Sequence, residues 1–375
     1  MANIQKIHEF LEDCDAEQFT PISYLQDKDI VIYGAGSGFF TFSAFILKKY
    51  DIKPYLILDK SFGLDDIFCN TPSCTPEHYQ PLENEKCNSV VVITVGSWID
   101  YNEISEHLKS KLGFQNIIWA FDIFEYSLHH TPINYINNLQ NEISTSYDKI
   151  MNAYMLFDDA DSRIIYKKIL SIYFYGKKGK IPSRPIKEQY FPQDIQLTKG
   201  YSCFVDCGAY TGDTIEQLRS RLQQIDTLIC FEPDSVNFEQ LVNNLDSNMA
   251  KQIITFPCGL YNTEKTLKVS SNDSNSSISE KGESVIQTVA IDHVLHGFKP
   301  TFIKMDIEGA ELEALDGAKK TIKENEPDLA ISIYHLVNHL WDLPLQINAL
   351  GVEYKLFLRN YTSHVSETVL YATKN

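Results

Sequence analysis

The chain has 375 residues, 43% of them apolar and including 21 Tyr and 21 Phe, enough for two domains that each bury a core. Its 50 acidic residues outweigh 33 basic ones, giving a formal charge of −17. That balance argues against a nucleic-acid partner, which needs cations to displace counterions, and the apolar content argues against a disordered chain.

The start, "MANIQKIHEFLEDCD", lacks the basic-then-apolar layout of a signal peptide. The most apolar stretch, Asp29–Tyr50, carries three clustered glycines and has a soluble explanation, so no membrane span is expected. Its first part, "DIVIYGAGSGF", reads as strand, glycine turn and helix start. "KPYLILDK" is a second strand ending in Asp59, "SVVVITVG" a third, "YNEISEHLKSKLG" a helix and "NIIWAFD" a fourth strand. Strands alternating with helices predict parallel β/α units. The eight cysteines contain no CxxC pair and no metal-like spacing with histidine. A cytoplasmic, disulfide-free protein is expected.

Residues 126–200 form a helical connector on this reading. It has two helical stretches, around "INYINNLQNEIST" and "YDKIMNAYMLFDDADSRIIYKKILSIYFYG", and then a proline-containing loop. The tight basic cluster "GKKGK" (176–180) reads as a solvated linker. The boundaries are thus 1–125 for the first domain, 126–200 for the connector and 201–375 for the last domain.

The last domain predicts strands at "CFVDCG", "TLICFEP", "IITFPCGL", "TFIKMDI", "DLAISIYH", "YKLFLRNY" and "TVLYAT". Helical patterns separate the first five, and the final two read as a hairpin. The expected architecture is a seven-stranded, mostly parallel sheet ending in an antiparallel pair. Three acids fall at strand ends: Asp206, Glu232 and Asp306. Ligands of such sheets bind outside the carboxyl ends of the strands. In "FVDCGAYTGDT", Gly208 and Gly212 let a ligand approach the backbone, while Asp213 stands where a pyrophosphate would be repelled. Glu232, 26 residues after Asp206, is placed to accept hydrogen bonds from both ribose hydroxyls of a nucleoside. A cationic or zwitterionic nucleoside fits better than a dinucleotide, and S-adenosylmethionine is one. Lys304 shares a face with Asp306 and is expected in an ion pair.

Six stretches, "FVDCGAYTGDT", "FEPD", "FPCGLYN", "IKMDIEGAE", "ISIYH" and "LRNYTSHVSETVLYA", resemble in order and spacing the FkbM-type S-adenosylmethionine-dependent methyltransferases. With the lead-in "EQYFPQDI", the resemblance covers Gln189–Ala372. It implies a class I methyltransferase fold preceded by a small Rossmann-like domain, and an O-methyltransferase acting on sugar hydroxyls of glycans, lipids or secondary metabolites. On that resemblance Asp206, Gly208, Tyr210 and Gly212 surround the methionine part of the cofactor and Glu232 its ribose. Asp306 and Glu308 face the methyl group and the acceptor.

An alcohol acceptor profits from a base, for which Asp306 and His335 are the candidates; His335 serves equally as a cap of the helix after it. No metal ligand is assigned, although Asp306, Glu308, His335 and Asn338 offer a set for a metal-assisted variant. Tyr210, Tyr261 and Tyr334 suit stacking on sugar faces or burial in the core. The polar stretch Ser270–Ser284 reads as a loop bordering the acceptor, and Asp292 as a structural residue opening a short helix. In the first domain Gly34, Gly36 and Gly38 with Asp59 approach a dinucleotide pattern, but Phe39 stands where a glycine is wanted. That domain reads as packing, dimerisation or substrate presentation, with homo-oligomerisation left open. Two other readings are an NAD-dependent sugar oxidoreductase using the first domain and a non-catalytic nucleotide-binding scaffold.

Overall fold

The computed structural model describes residues 2–12, 14, 20–95, 98–123, 133–175, 181–222, 225–272, 275–278, 284–362 and 365–374. The basic cluster at 176–180 lies outside them. By packing the chain divides into two units, one of residues 14–142 and 171–180, the other of residues 1–13, 143–170 and 181–375.

The first unit is built on short runs of β-branched residues. Its strands are β1 (Ile30–Tyr33), β2 (Leu56–Leu58), β3 (Asp66–Phe68), β4 (Thr71–Cys74), β5 (Val90–Ile93) and β6 (Asn116–Trp119). All four residues of β1 and of β5 are buried, as expected of parallel strands covered on both faces. The order is β3-β4-β2-β1-β5-β6. The four expected strands are present, and the β3–β4 hairpin is an addition. It turns on Cys69 and Asn70, both at positive φ (52° and 61°), the geometry of a two-residue hairpin turn. The apolar stretch after β1 is a turn followed by the helix Ser37–Phe42, and among the described residues no helix is long and apolar enough to cross a membrane.

The second unit carries β7 (Cys203–Cys207), β8 (Ile225–Phe231), β9 (Ala250–Phe256), β10 (Gly259–Leu260), β11 (Lys265–Asn272), β12 (Asn275–Ile278), β13 (Ser284–Val289), β14 (Phe302–Met305), β15 (Asp328–Ser332), β16 (Lys355–Asn360) and β17 (Thr368–Thr373). Seven of them form one sheet in the order β16-β17-β15-β14-β7-β8-β9. Only the pairings of β17 are antiparallel, with β15 and β16. This is the sheet the sequence predicts. Its order reverses between β7 and β14, which opens a crevice at their carboxyl ends. Phe204 and Phe302 stack at 5.1 Å in the core beneath, each fully buried and worth about 1.5–3 kcal/mol of transfer free energy.

Two expectations change. The polar stretch 270–284 is not all loop: β11 and β12 pair antiparallel through it and join β13 and β10 in a four-stranded sheet. Residues 273–274 and 279–283 lie outside the described ones. The second expected helical stretch is two helices, Tyr147–Leu156 and Ala160–Tyr175. Between them Asp159 accepts a hydrogen bond from the Ser162 amide (2.8 Å), capping the second helix. Asp159 also pairs with the buried Arg359 (2.6 Å), which Asp194 holds from another side (2.8 Å). Asp292 opens the helix Ile291–Val294 and accepts from the amides of Lys320 and Thr321 at 2.9 and 2.7 Å. All eight cysteines are free.

Candidate active site

The turn after β7 is forced by its glycines. Gly208 sits at φ 83°, and a Cβ on it would lie 1.9 Å from the Asp306 carbonyl, so the turn must pass against the end of β14. Gly212, at φ 97°, precedes the helix Asp213–Arg221. Beneath the turn Asp206 is fully buried and pairs with Lys304 at 2.9 Å, in line with the ion pair expected for Lys304. The Lys304 ammonium also donates to the Gly208 carbonyl (2.6 Å). Burial raises Asp206 to about 6, opposed by Lys304; burial pulls Lys304 down, but Asp206 and Asp306 more than reverse this and hold it above its usual value. Asp206 therefore braces the turn from below rather than lining the cavity above it.

That cavity has a volume of about 620 Å³. Gly208, Tyr210, Glu232, Asp306, Glu308 and Tyr334 line it, as do Leu267 and Ile286 of the small sheet. Glu232, at the end of β8, accepts from the amides of Tyr210 and Asp234, both at 2.9 Å, one on each carboxylate oxygen. Burial raises its pKa against the pull of those two bonds. A carboxylate oxygen accepts more than one hydrogen bond, so both remain able to receive a diol.

At the end of β14, Asp306 accepts from the Tyr190 hydroxyl (2.9 Å) on Oδ2, with the Tyr334 hydroxyl (3.4 Å) and His335 Nε2 (3.4 Å) near Oδ1. Burial would raise its pKa, but Lys304 and His335 hold it below the usual range. Glu308 stands at φ 57°, a conformation that strains a residue with a side chain. Its carboxyl is raised by burial and by the neighbouring acids, with His335 opposing. Its Oε2 is 3.6 Å from His335 Nε2.

His335 follows β15 and is nearly buried. Its Nδ1 meets Glu311 Oε1 at 2.8 Å, and Glu311 is wholly buried in the helix Glu311–Asp316. Burial would lower the imidazole, yet the Glu311 bond and the charges of Glu311, Asp306 and Glu308 raise it to about 9. Donor atoms of Asp306, Glu311 and His335 lie within 4.8 Å of one another. Nδ1 of His335 is bonded to Glu311 Oε1, and the same oxygen takes the amides of Ile307 and Gly309. Asn338, the other weighed metal ligand, donates to Asp342 (3.2 Å).

Gly208, Tyr210, Glu232, Asp306 and Glu308 thus share one cavity, with His335 just beneath its wall and Gly212 at the helix start. Of the three tyrosines weighed for stacking, Tyr210 and Tyr334 line the cavity; Tyr261 instead lies under the Lys265 ammonium, 3.3 Å from the ring centre. Sequence reasoning missed Gln189, Tyr190, Glu311 and Glu367. Tyr190 donates to Asp306, and Gln189 donates to Glu367 at 2.6 Å. The signal for Glu311 was its place as the second acid of "IEGAE", three residues after Glu308, where the helix opens.

A parallel sheet of this order, with a glycine turn after one strand, a fixed acid after the next and an acid after β14, has the arrangement of a methyltransferase. Residues 206–361 match the model of the methyltransferase FkbM domain. The structure is similar to methyltransferase FkbM from Methylobacillus flagellatus KT, with TM-score 0.60 and 21% identity over 99% of this chain and 93% of that one. At this identity the likeness shows the fold, here over the whole chain. Fibrillarin from Aeropyrum pernix with bound S-adenosyl-L-methionine (TM-score 0.32, 9% identity, 50% of this chain and 74% of that one) is too distant to carry an argument. So is an rRNA methylase from Streptococcus thermophilus (TM-score 0.28, 12% identity, 50% and 89%). No curated protein matches the chain.

Proposed function

We propose that the protein is an S-adenosylmethionine-dependent O-methyltransferase whose acceptor is a hydroxyl of a carbohydrate-type molecule. The observation that carries the reading is Glu232, a buried carboxylate fixed by two amides in a cavity that Asp306 and Glu308 also line. Such a group receives a ribose diol without reorganising. The cavity also suits a cation: Asp213, Glu232, Asp306, Glu308 and Glu367 line it, while its lysine, Lys304, is occupied by Asp206 and Gly208.

S-adenosylmethionine bound there supplies a methyl group on a sulfonium. Methyl transfer is an in-line displacement, so the chain's main task is to hold the acceptor oxygen in line. Gly208 and Tyr210 bring backbone close to the methionine part, and Asp306, Glu308 and, behind them, His335 are the groups offered to the acceptor. Tyr210, about half exposed, and Tyr334 offer ring faces to a sugar.

The test is calorimetric titration with S-adenosylhomocysteine and, separately, with NAD, on the protein and on Glu232→Ala. Binding of the first, weakened on the order of a hundredfold in the variant as two charge-assisted hydrogen bonds are lost, supports the reading. Binding of NAD alone, indifferent to Glu232→Ala, would move the chemistry to the first unit.

A further inference from the structure

We propose that Glu311 is a positioning residue that fixes the tautomer of His335, so that Nε2 of the ring is the atom that exchanges a proton with the acceptor hydroxyl. This rests on the methyltransferase reading and adds to it the group that orients the base. Glu311 Oε1 receives Nδ1 of His335 (2.8 Å) and the amides of Ile307 (3.0 Å) and Gly309 (3.4 Å). One buried oxygen therefore holds both the imidazole and the strained turn that carries Asp306 and Glu308. With Nδ1 bound as a donor, Nε2 is directed toward the cavity side, at 3.4 and 3.6 Å from Asp306 and Glu308. That nitrogen is buried and has no hydrogen-bond partner. A buried polar atom aimed at reacting groups is where a substrate hydroxyl completes the set.

Charged and titratable groups surround the ring from every side. Asp306 and Glu308 come from the turn after β14, Glu311 from the helix it begins, and His339 from the helix His339–Ala349. His339 Nδ1 is 3.3 Å from Glu311 Oε2, and burial keeps His339 below its usual value, so it adds no positive charge behind the carboxylate. Tyr334 adjoins the ring at 4.3 Å, and Glu367 adds its field from the segment before β17. In the reaction the neutral ring, the form present above its midpoint and protonated on Nδ1 only, takes the acceptor O–H proton on Nε2 as the oxygen forms the C–O bond. The C–S bond breaks with its electron pair on sulfur, leaving a neutral thioether.

The experiment is a pH titration by long-range ¹H–¹⁵N spectroscopy of the full chain labelled at histidine, with His335→Asn to assign the resonance. In the wild type His335 should titrate near pH 9. Above the midpoint it should keep its proton on Nδ1. Glu311→Gln retains an oxygen for the two amides but removes the charge, and the midpoint should fall by about one to three pH units. S-adenosylhomocysteine affinity, measured on the same samples, reports that the site is folded. A wild-type ring protonated on Nε2 above the midpoint would overturn the proposal, even if the variant failed to fold. An unshifted midpoint in a variant that binds normally would overturn it too, while leaving the methyltransferase reading intact. Failure of the wild type to bind S-adenosylhomocysteine would overturn both.

Discussion

The two units contain the same local device put to different ends. After β1 and after β7 the chain makes a glycine turn into a helix, and an acid at the end of the next strand accepts an amide of that turn. Asp59 takes the Ala35 amide at 2.8 Å, and Glu232 takes that of Tyr210 at 2.9 Å. The difference lies in what the neighbours do. The other oxygen of Asp59 is claimed by both the amide and the hydroxyl of Ser61, at 2.9 and 2.7 Å, and Thr94 closes over the turn with hydrogen bonds to the carbonyls of Tyr33 and Gly34. Gly38 is pressed so near β5 that a Cβ would lie 1.9 Å from the Thr94 carbonyl. Around Glu232 the neighbouring strand end instead brings Asp306 and Glu308, with a buried ion pair under the turn. A glycine turn with a following acid is thus a way of ending a strand, and what the adjacent strand end brings to it differs between the two units.

The buried pair offers the sharpest way to break that comparison. Lys304→Met leaves Asp206 in the core without its counter-charge, forced either to stay ionised unpaired or to take up a proton, and should cost about 3–5 kcal/mol in chemical denaturation, whereas Thr94→Val at the first turn should cost about 1 kcal/mol. Equal losses would mean that the ion pair is not what supports the second turn. A smaller effect separates the glycines. Gly38→Ala and Gly208→Ala each force backbone apart and should cost about 1–3 kcal/mol. Only Gly208→Ala should also weaken S-adenosylhomocysteine binding, because only that turn borders the cavity.

The smallest effect is in pH. The Ser61 and Ala35 bonds outweigh burial and hold Asp59 below its ordinary 3.8, so its contribution to stability is present above that value and lost only as pH falls further. Burial raises Glu232 above its ordinary 4.5, so its ionisation weighs against stability as pH rises through the raised value. Donor binding needs the carboxylate and should therefore weaken on acidification at a midpoint above 4.5, before the first turn loosens. Titrations of S-adenosylhomocysteine from neutral pH downward, followed beside the melting curve, check the order of the two events.

Much of this was legible because it is local. Seven strands showed as apolar runs between helical patterns, and Asp206, Glu232 and Asp306 stood out as charges ending such runs. What was hidden depends on contacts between distant positions. Tyr190 meets Asp306 across 116 residues, and Gln189 meets Glu367 across 178. No periodicity in either segment encodes the other. The β11–β12 pair was hidden for another reason: serine and asparagine have weak strand preference, and their pairing is decided by the neighbouring strand β13. At Asp206 the residue was visible but its partner set its place, because Lys304 draws the carboxylate under the turn.

Tyr190 carries one more implication. Its hydroxyl holds Asp306, its amide donates to the Tyr371 hydroxyl in β17 (3.0 Å), and both residues fall outside the 206–361 span. The span also omits β17, the strand that joins β16 to the rest of the sheet. The catalytic module is therefore laced at both margins: a chain trimmed to the recognisable domain would keep Glu232, Asp306 and Glu308 yet lose Glu367, the hydroxyl that aims Asp306 and the strand that anchors that hydroxyl. Transplanting this activity means moving the lead-in and the last strand with it.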